Sequence, residues 1–242
     1  MLIFTIRRLN LLLFTLLLLT LLSFSLSYLF PGDPLVNMTG QAQATPEHLA
    51  TLSSQYNFEQ NIFKQYWAYL SHIANGDLGL SMASHLPISS EIMTLLPATI
   101  ELSLVALAIA MMIGVPIGFI AAIKHKKAAD NIILAFAMLG YSIPVFWLGL
   151  LAILVFSIQL GWLPSAGQIS LLFEIEPVTG IQFIDILLSD SEYKWQAFKD
   201  ASSHIILPAC VVALAPATIF IRLARTAMMV ALIWLGLNGF KI

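Results

Sequence analysis

Charge is what this sequence has least of. Of 242 residues only 10% are Asp, Glu, Lys or Arg, while 59% are hydrophobic, far from the roughly 25% and 45–50% of soluble domains. Water is therefore not the main solvent of this chain. Cysteine is nearly absent too: Cys210 stands alone, which excludes an internal disulfide and a cysteine-based metal site, and in its apolar run it reads as a small buried hydrophobe. The sequence has no Walker-type glycine-rich phosphate loop, no Ser/His/acid arrangement and no histidine cluster at ligand spacing. The five histidines (His48, His72, His85, His125 and His204) are scattered among loops and helix ends. No catalytic, cofactor-binding or metal-binding residue is assigned, and the chain is expected to be no enzyme.

What is there instead is long uncharged runs. A bilayer core about 30 Å thick needs about 20 apolar residues at 1.5 Å each. Four runs qualify: Leu9 to Phe30, Leu102 to Ile123, one within Ile132 to Leu160, and Ile205 to Ile221. A fifth, Ala227 to Phe240, is only about 14 residues long, about 21 Å as a helix. The first run follows Arg7 and Arg8 but is too long for the apolar core of a signal peptide, and a twin-arginine export signal is a weak match. It ends in Tyr28-Leu29-Phe30-Pro31-Gly32-Asp33-Pro34, with prolines where a small-residue cleavage site would be, so it reads as an uncleaved helix stopped by proline.

The net charge of −2 matters less than where the charges sit. Arg7 and Arg8 precede the first run, Lys124, Lys126 and Lys127 follow the second, and Arg222 and Arg225 follow the fourth. These are alternate connections, so seven of the eleven basic residues share one side. By the positive-inside rule that side is cytoplasmic. Among acidic residues only Asp130 is clearly with them. The expectation is an N-terminal anchor helix over 1–30, an outer segment over 31–100, a membrane core over 101–226 with an outer loop at about 161–203, and a tail over 227–242.

In the first outer segment, Phe58, Ile62, Phe63, Tyr66, Trp67, Tyr69, Leu70 and Ile73 recur at spacings of three and four. This predicts an amphipathic helix lying on the membrane surface or against the bundle. The second outer segment sets Glu174, Glu176, Asp185, Asp190, Glu192 and Asp200 against Lys194 and Lys199. It reads as a solvated face, with a cationic substrate or a partner protein as the alternative.

No run centre holds an ionisable side chain, which weighs against proton- or ion-coupled transport. The runs do hold Gly114, Pro116 and Gly118, then Gly140 and Pro144, then Pro208 and Pro216. Proline kinks helices and glycine lets them approach closely, so Gly114, Pro116 and Gly118 are candidates for helix flexing, with static packing the alternative. Ser142 and Pro144 are the candidate substrate-pathway residues, because a kink there would turn backbone carbonyls toward a water-filled cavity.

Three stretches, read in order, carry a resemblance. The first runs from Asn75-Gly76-Asp77-Leu78-Gly79-Leu80-Ser81 through Leu95-Leu96-Pro97-Ala98-Thr99-Ile100-Glu101-Leu102 to Gly114-Val115-Pro116-Ile117-Gly118. The second is Ser142-Ile143-Pro144-Val145-Phe146-Trp147 with Leu160-Gly161-Trp162-Leu163-Pro164-Ser165-Ala166-Gly167. The third is His204-Ile205-Ile206-Leu207-Pro208 with Ile221-Arg222-Leu223-Ala224-Arg225. Together they resemble the permease subunits of bacterial dipeptide and oligopeptide ABC transporters. Leu188-Ser189-Asp190-Ser191 and the opening Ile3-Phe4-Thr5-Ile6-Arg7-Arg8-Leu9 resemble the Sap branch of that family, named for sensitivity to antimicrobial peptides.

The resemblance implies an all-α, polytopic permease of the type I ABC importer fold in the bacterial inner membrane, moving peptides. It implies a second permease subunit, two cytoplasmic ATPase subunits that bind the ATP, and a periplasmic substrate-binding protein as partners, besides membrane lipid. No cofactor in this chain and no nucleic acid is implied. Polyamine transport of the putrescine kind is the alternative substrate. A non-transporting membrane protein and a secondary transporter are the alternatives from other classes. Beyond Arg225 the family continues into an ATPase-coupling loop, which is not found in Ala227 to Ile242, so the expectation is a truncated form.

Overall fold

The computed structural model describes residues 2–41 and 45–234. Among them the only β pairing is an isolated antiparallel bridge between Leu80 and Pro87. The chain forms two compact units, Met1–Thr94 and Leu95–Ile242, with the boundary inside one long helix.

In the first unit, α1 (Leu2–Leu29) is a leucine-rich helix, about 42 Å long. Its apolar side chains stay exposed almost throughout, Leu11, Leu12 and Phe14 among them, as a helix surrounded by lipid tails requires. Pro31 and Gly32 follow it. The short α2 (Pro34–Thr39) starts where Asp33 Oδ1 accepts the Leu35 amide at 2.8 Å, and Gly40 ends it at φ +73. A Cβ on Gly40 would sit 1.8 Å from Leu80 O, so glycine is required there both for conformation and for space. Helix α3 (Pro46–Gln55) packs Leu52 and Tyr56 with Leu35 in a small core.

The expected amphipathic helix is α4 (Ile62–Ala74), capped by Asn61, whose Oδ1 accepts the Lys64 amide at 3.0 Å. It lies against α1. Tyr66 and Thr20 share a hydrogen bond of 2.9 Å, the Tyr69 hydroxyl donates to Ser23 Oγ at 3.1 Å, and the Tyr28 hydroxyl donates to Gln65. Phe24 packs among Tyr28, Tyr66 and Tyr69. Phe63 and Trp67 stay exposed, so the stripe divides into a docked tyrosine edge and a free Phe/Trp edge.

The second unit is organised by α5 (Ile88–Ile123) and α9 (Lys194–Trp234), about 54 and 61 Å long. Both are longer than a bilayer core, so each extends beyond it. Ala106 and Ala110 of α5 pack on Ala209 and Ala213 of α9. Further along, a Cβ on Gly114 would lie 2.8 Å from Phe220 Cβ, and one on Gly118 would lie 2.6 Å from Ile221 O. Positions 106, 110, 114 and 118 recur every four residues, and this row of small side chains lets two backbones meet where lipid offers no hydrophobic drive for association.

Among the described residues, three helices, α1, α5 and α9, are long and apolar enough to cross a membrane, or four if one bent pair counts as a span. That pair falls on the third expected run: α6 (Ala128–Ser142) and α7 (Val145–Ala152, continued by a π-helix over Ile153–Gln159) meet at 92° across the break at Ile143 and Pro144. The fourth run lies inside a longer helix. Helix α9 begins at Lys194, ten residues inside the expected outer loop, and passes Arg222 and Arg225 without a break. Residues 227–234, the start of the expected tail, continue it, while 235–242 lie outside the described residues. Cys210 is exposed rather than buried, because it falls off the α9 face that carries Ala209 and Ala213.

Candidate functional site

The break between α6 and α7 follows from Pro144. Ile143 is extended, at φ −85 and ψ 132, and ends α6. A residue before proline is pushed out of helical conformation by the proline ring. Pro116, Pro208 and Pro216 meet the same pressure but stay inside continuous helices. Pro116 is flanked by the close contacts at Gly114 and Gly118, whereas Pro144 and Ser142 are exposed. A helix end leaves carbonyls without intrahelical partners. Two nearby carbonyls are met by side chains: Ser142 Oγ donates to Met138 O at 2.8 Å, and Thr218 Oγ1 of α9 donates to Ala137 O at 2.9 Å. Neither Ser142 nor Pro144 lines the cavity described below.

At the other end of α6 lies a charged latch that the expectations did not include. Arg225 Nε donates to Asp130 Oδ1 at 2.7 Å and Nη2 donates to Oδ2 at 2.8 Å. The planar guanidinium thus grips both carboxylate oxygens, the geometry that makes such pairs strong. Nη2 also lies 2.9 Å from His125 Nδ1, and the Lys126 amide donates to Asp130 Oδ2 at 3.1 Å. Lys126 holds φ +61 to present that amide. The Asp130 side chain is 2% exposed and that of Arg225 18%. One ion pair therefore fixes the 124–127 turn and the start of α6 to α9. Sequence showed Asp130 as the lone acid among clustered bases but could not pair it across 95 residues.

The acidic outer segment is not simply a solvated face. Asp185, on α8 (Gln182–Leu188), is buried, and it accepts from Thr179 Oγ1, the Thr179 amide and the Gly180 amide at 2.6–2.9 Å. Burial pushes its carboxyl up, but these donors outweigh burial and hold it below its ordinary value. Asp200 accepts from the amide and the hydroxyl of Ser170. Asp185 ties the 179–180 turn to α8, and Asp200, on α9, holds Ser170 of the segment to α9. Glu101 caps α8 from another helix, its Oε2 and Oε1 accepting the Gln182 and Phe183 amides at 3.0 and 2.9 Å. Around this junction is a cavity of about 410 Å³, lined by Leu95, Ala98, Leu102, Ile205 and Pro208 with Glu101 and His204 among its polar members. No group of three metal-ligating side chains occurs among the described residues.

Comparison with known proteins gives consistent matches along the chain. Residues 1–103 match the N-terminal domain described for binding-protein-dependent transport system membrane components, and residues 114–232 match the binding-protein-dependent transport system inner membrane component. The chain is 40% identical over 229 residues to the di/tripeptide transport system permease protein DppB of Pseudomonas aeruginosa (strain UCBPP-PA14), covering 95% of this chain and 67% of that protein. It is 40% identical over 225 residues to the putrescine export system permease protein SapB of Escherichia coli (strain K12), covering 93% and 63%. It is 34% identical over 232 residues to the dipeptide transport system permease protein DppB of the same strain, covering 95% and 68%. The chain thus spans roughly two thirds of the length of these relatives.

Proposed function

This chain belongs to the family of binding-protein-dependent transport system inner membrane components, and from that membership we propose that it is the permease subunit of an ABC transporter that moves peptides across the bacterial inner membrane. The observation that carries the peptide reading is the 40% identity with a di/tripeptide permease over 95% of the chain, all the long helices included. Its partners in this reading are a second permease subunit, two cytoplasmic ATPase subunits and a periplasmic substrate-binding protein. The N-terminus faces the cytoplasm, supported by seven of eleven basic residues falling on alternate connections.

Within the proposal, Ser142 and Pro144 belong to the substrate path. Support comes from the exposed 92° break, where backbone leaves its helical hydrogen-bond pattern; at membrane depth such backbone is tolerated only when it is buried in protein or lines a watery cavity. Gly114, Pro116 and Gly118 are the positions at which α5 shifts along α9, because a row without interlocking side chains offers little resistance to sliding. A second reading, polyamine movement, has its own support in the identity with a permease named for putrescine export.

The test is complementation. The chain is expressed with partner subunits in a bacterium lacking its own dipeptide permease, and uptake of a labelled dipeptide is measured against that of labelled putrescine. The expected result is peptide uptake that stops on ATP depletion and survives collapse of the ion gradient. Putrescine flux without peptide flux, or flux that follows the ion gradient, would overturn the reading.

A further inference from the structure

The cavity where α5, α8 and α9 meet holds an unbalanced set of polar groups in an apolar wall. Glu101 is only 7% exposed. Each of its oxygens accepts one backbone amide, which leaves unused lone pairs, since a carboxylate offers about four acceptor positions. Its partners are neutral, and no Lys or Arg lines the cavity. A buried carboxylate without a counter-ion is costly unless something cationic joins it.

His204 adds a second acceptor. Its Nδ1 lies 2.9 Å from the Asp200 backbone oxygen, and a carbonyl only accepts, so Nδ1 carries the hydrogen. Nδ1 also lies 3.5 Å from Asp200 Oδ2, so both of its near neighbours are accepting oxygens; with one proton on the ring, Nε2 is an acceptor, and no bond to Nε2 occurs among the described residues. Gln168 and Gln182 also line the space, and a glutamine side chain has a carbonyl acceptor to offer. Around these acceptors, Leu95, Ala98, Leu102, Ile205 and Pro208 form the apolar wall of a half-open cavity of about 410 Å³, within the size range of small-ligand sites.

We infer that this cavity binds a primary ammonium group carried on an apolar stem. An ammonium brings three donors and one positive charge, matching the Glu101 carboxylate, His204 Nε2 and a glutamine carbonyl, while the hydrocarbon next to it fills the apolar wall. The ammonium of a peptide's N-terminal residue and that of an aliphatic amine present the same chemistry. The binding inference stands on the cavity itself. Only its meaning, a foothold for the substrate's charged end, rests on the permease reading.

The full chain in nanodiscs of zwitterionic lipid is titrated calorimetrically with pentylamine, N-acetylpentylamine, Leu-Leu, N-acetyl-Leu-Leu and putrescine, with empty nanodiscs as the blank. Saturable binding of the free amines, weakened at least tenfold by acetylation, is expected. Ala98→Phe, which fills the cavity, and His204→Phe, which removes the acceptor, are each expected to weaken it at least tenfold. Preference for Leu-Leu over both amines assigns the site to peptides, and the opposite preference assigns it to amines. Equal binding of acetylated and free forms, or no saturable binding above the blank, overturns the inference. So does unchanged affinity in the variants; if Ala98→Phe fails to fold, His204→Phe alone decides. Because no transport is measured, failure here leaves the complementation result standing, and the reverse also holds.

Discussion

Removing Asp130 should unfasten α6 from α9, and the expected cost can be worked from the geometry. In Asp130→Ala, Arg225 loses both carboxylate contacts, at 2.7 and 2.8 Å, and keeps only His125 beside it. Breaking a buried ion pair from one side costs about 3–5 kcal/mol. The Arg225 side chain is 18% exposed, so water can partly take over, and the loss should lie near the lower end, about 3 kcal/mol. Arg225→Ala should cost more, about 4–5 kcal/mol, because it strands a carboxylate that is 2% exposed. Removing both partners leaves no uncompensated charge. The double variant should therefore lose less than the sum of the singles, with a coupling of about 2–3 kcal/mol, at the upper end for contacting residues. Arg225→Lys keeps the charge without the planar fork and should fall between wild type and Arg225→Ala. The assay is reversible unfolding in detergent micelles, followed by helical circular dichroism and tryptophan fluorescence. If the two single losses sum to the double loss within about 0.5 kcal/mol, the pair carries no interaction energy and the latch is a contact, not a fastening.

Two further outcomes test other parts of the structure. Gly118→Val must displace Ile221 O and Ala224 Cβ, which lie 2.6 and 2.7 Å from the new Cβ, and should destabilise by about 1–3 kcal/mol as overpacking does. Gly140→Ala meets nothing within 4 Å and should be neutral or stabilising by up to about 1 kcal/mol; equal effects of the two in the same unfolding assay would dispose of the seam. The Asp185 carboxyl is held below its ordinary 3.8 in the fold, so its contribution is present above the ordinary value and lost as pH falls through the lowered one. Hydrogen exchange at Thr179 and Gly180, corrected for the intrinsic rate, should accordingly stay slow at neutral pH and speed up only below about pH 4. Asp185→Asn should speed it at every pH, and an unchanged profile in that variant would refute the assignment.

Membrane class, all-helical fold and family were open to reading in the residues, because lipid imposes length and composition on every span and both are linear properties of a chain. Leu9 to Phe30 lies in α1 but for its last residue, Leu102 to Ile123 lies in α5, and the spacing from Ile62 to Ile73 marks α4. The four-residue recurrence of Ala106, Ala110, Gly114 and Gly118 was equally open as a signal, although the runs were judged by hydropathy, which does not distinguish a packed face from a lipid-facing one. Helix ends were harder. Helix α9 runs on past Arg222 and Arg225, and Asp130 supplies Arg225 with a counter-charge, a pairing that hydropathy along the chain does not show.

Local sequence by itself determined where helices form and which of them suit a bilayer, since backbone hydrogen bonding and apolar length act along the chain. Tertiary structure alone decided which proline breaks its helix and which charges are paired. Pro116 and Pro144 exert the same local strain, but the helix stays continuous through Pro116, where Gly114 and Gly118 let α9 approach closely, and breaks before Pro144, although α6 and α7 both pack on α9. Asp130 and Arg225, like Glu101 and the amides of Gln182 and Phe183, meet only once distant segments pack, and a pairing energy that depends on distance in space leaves no trace in separation along the sequence.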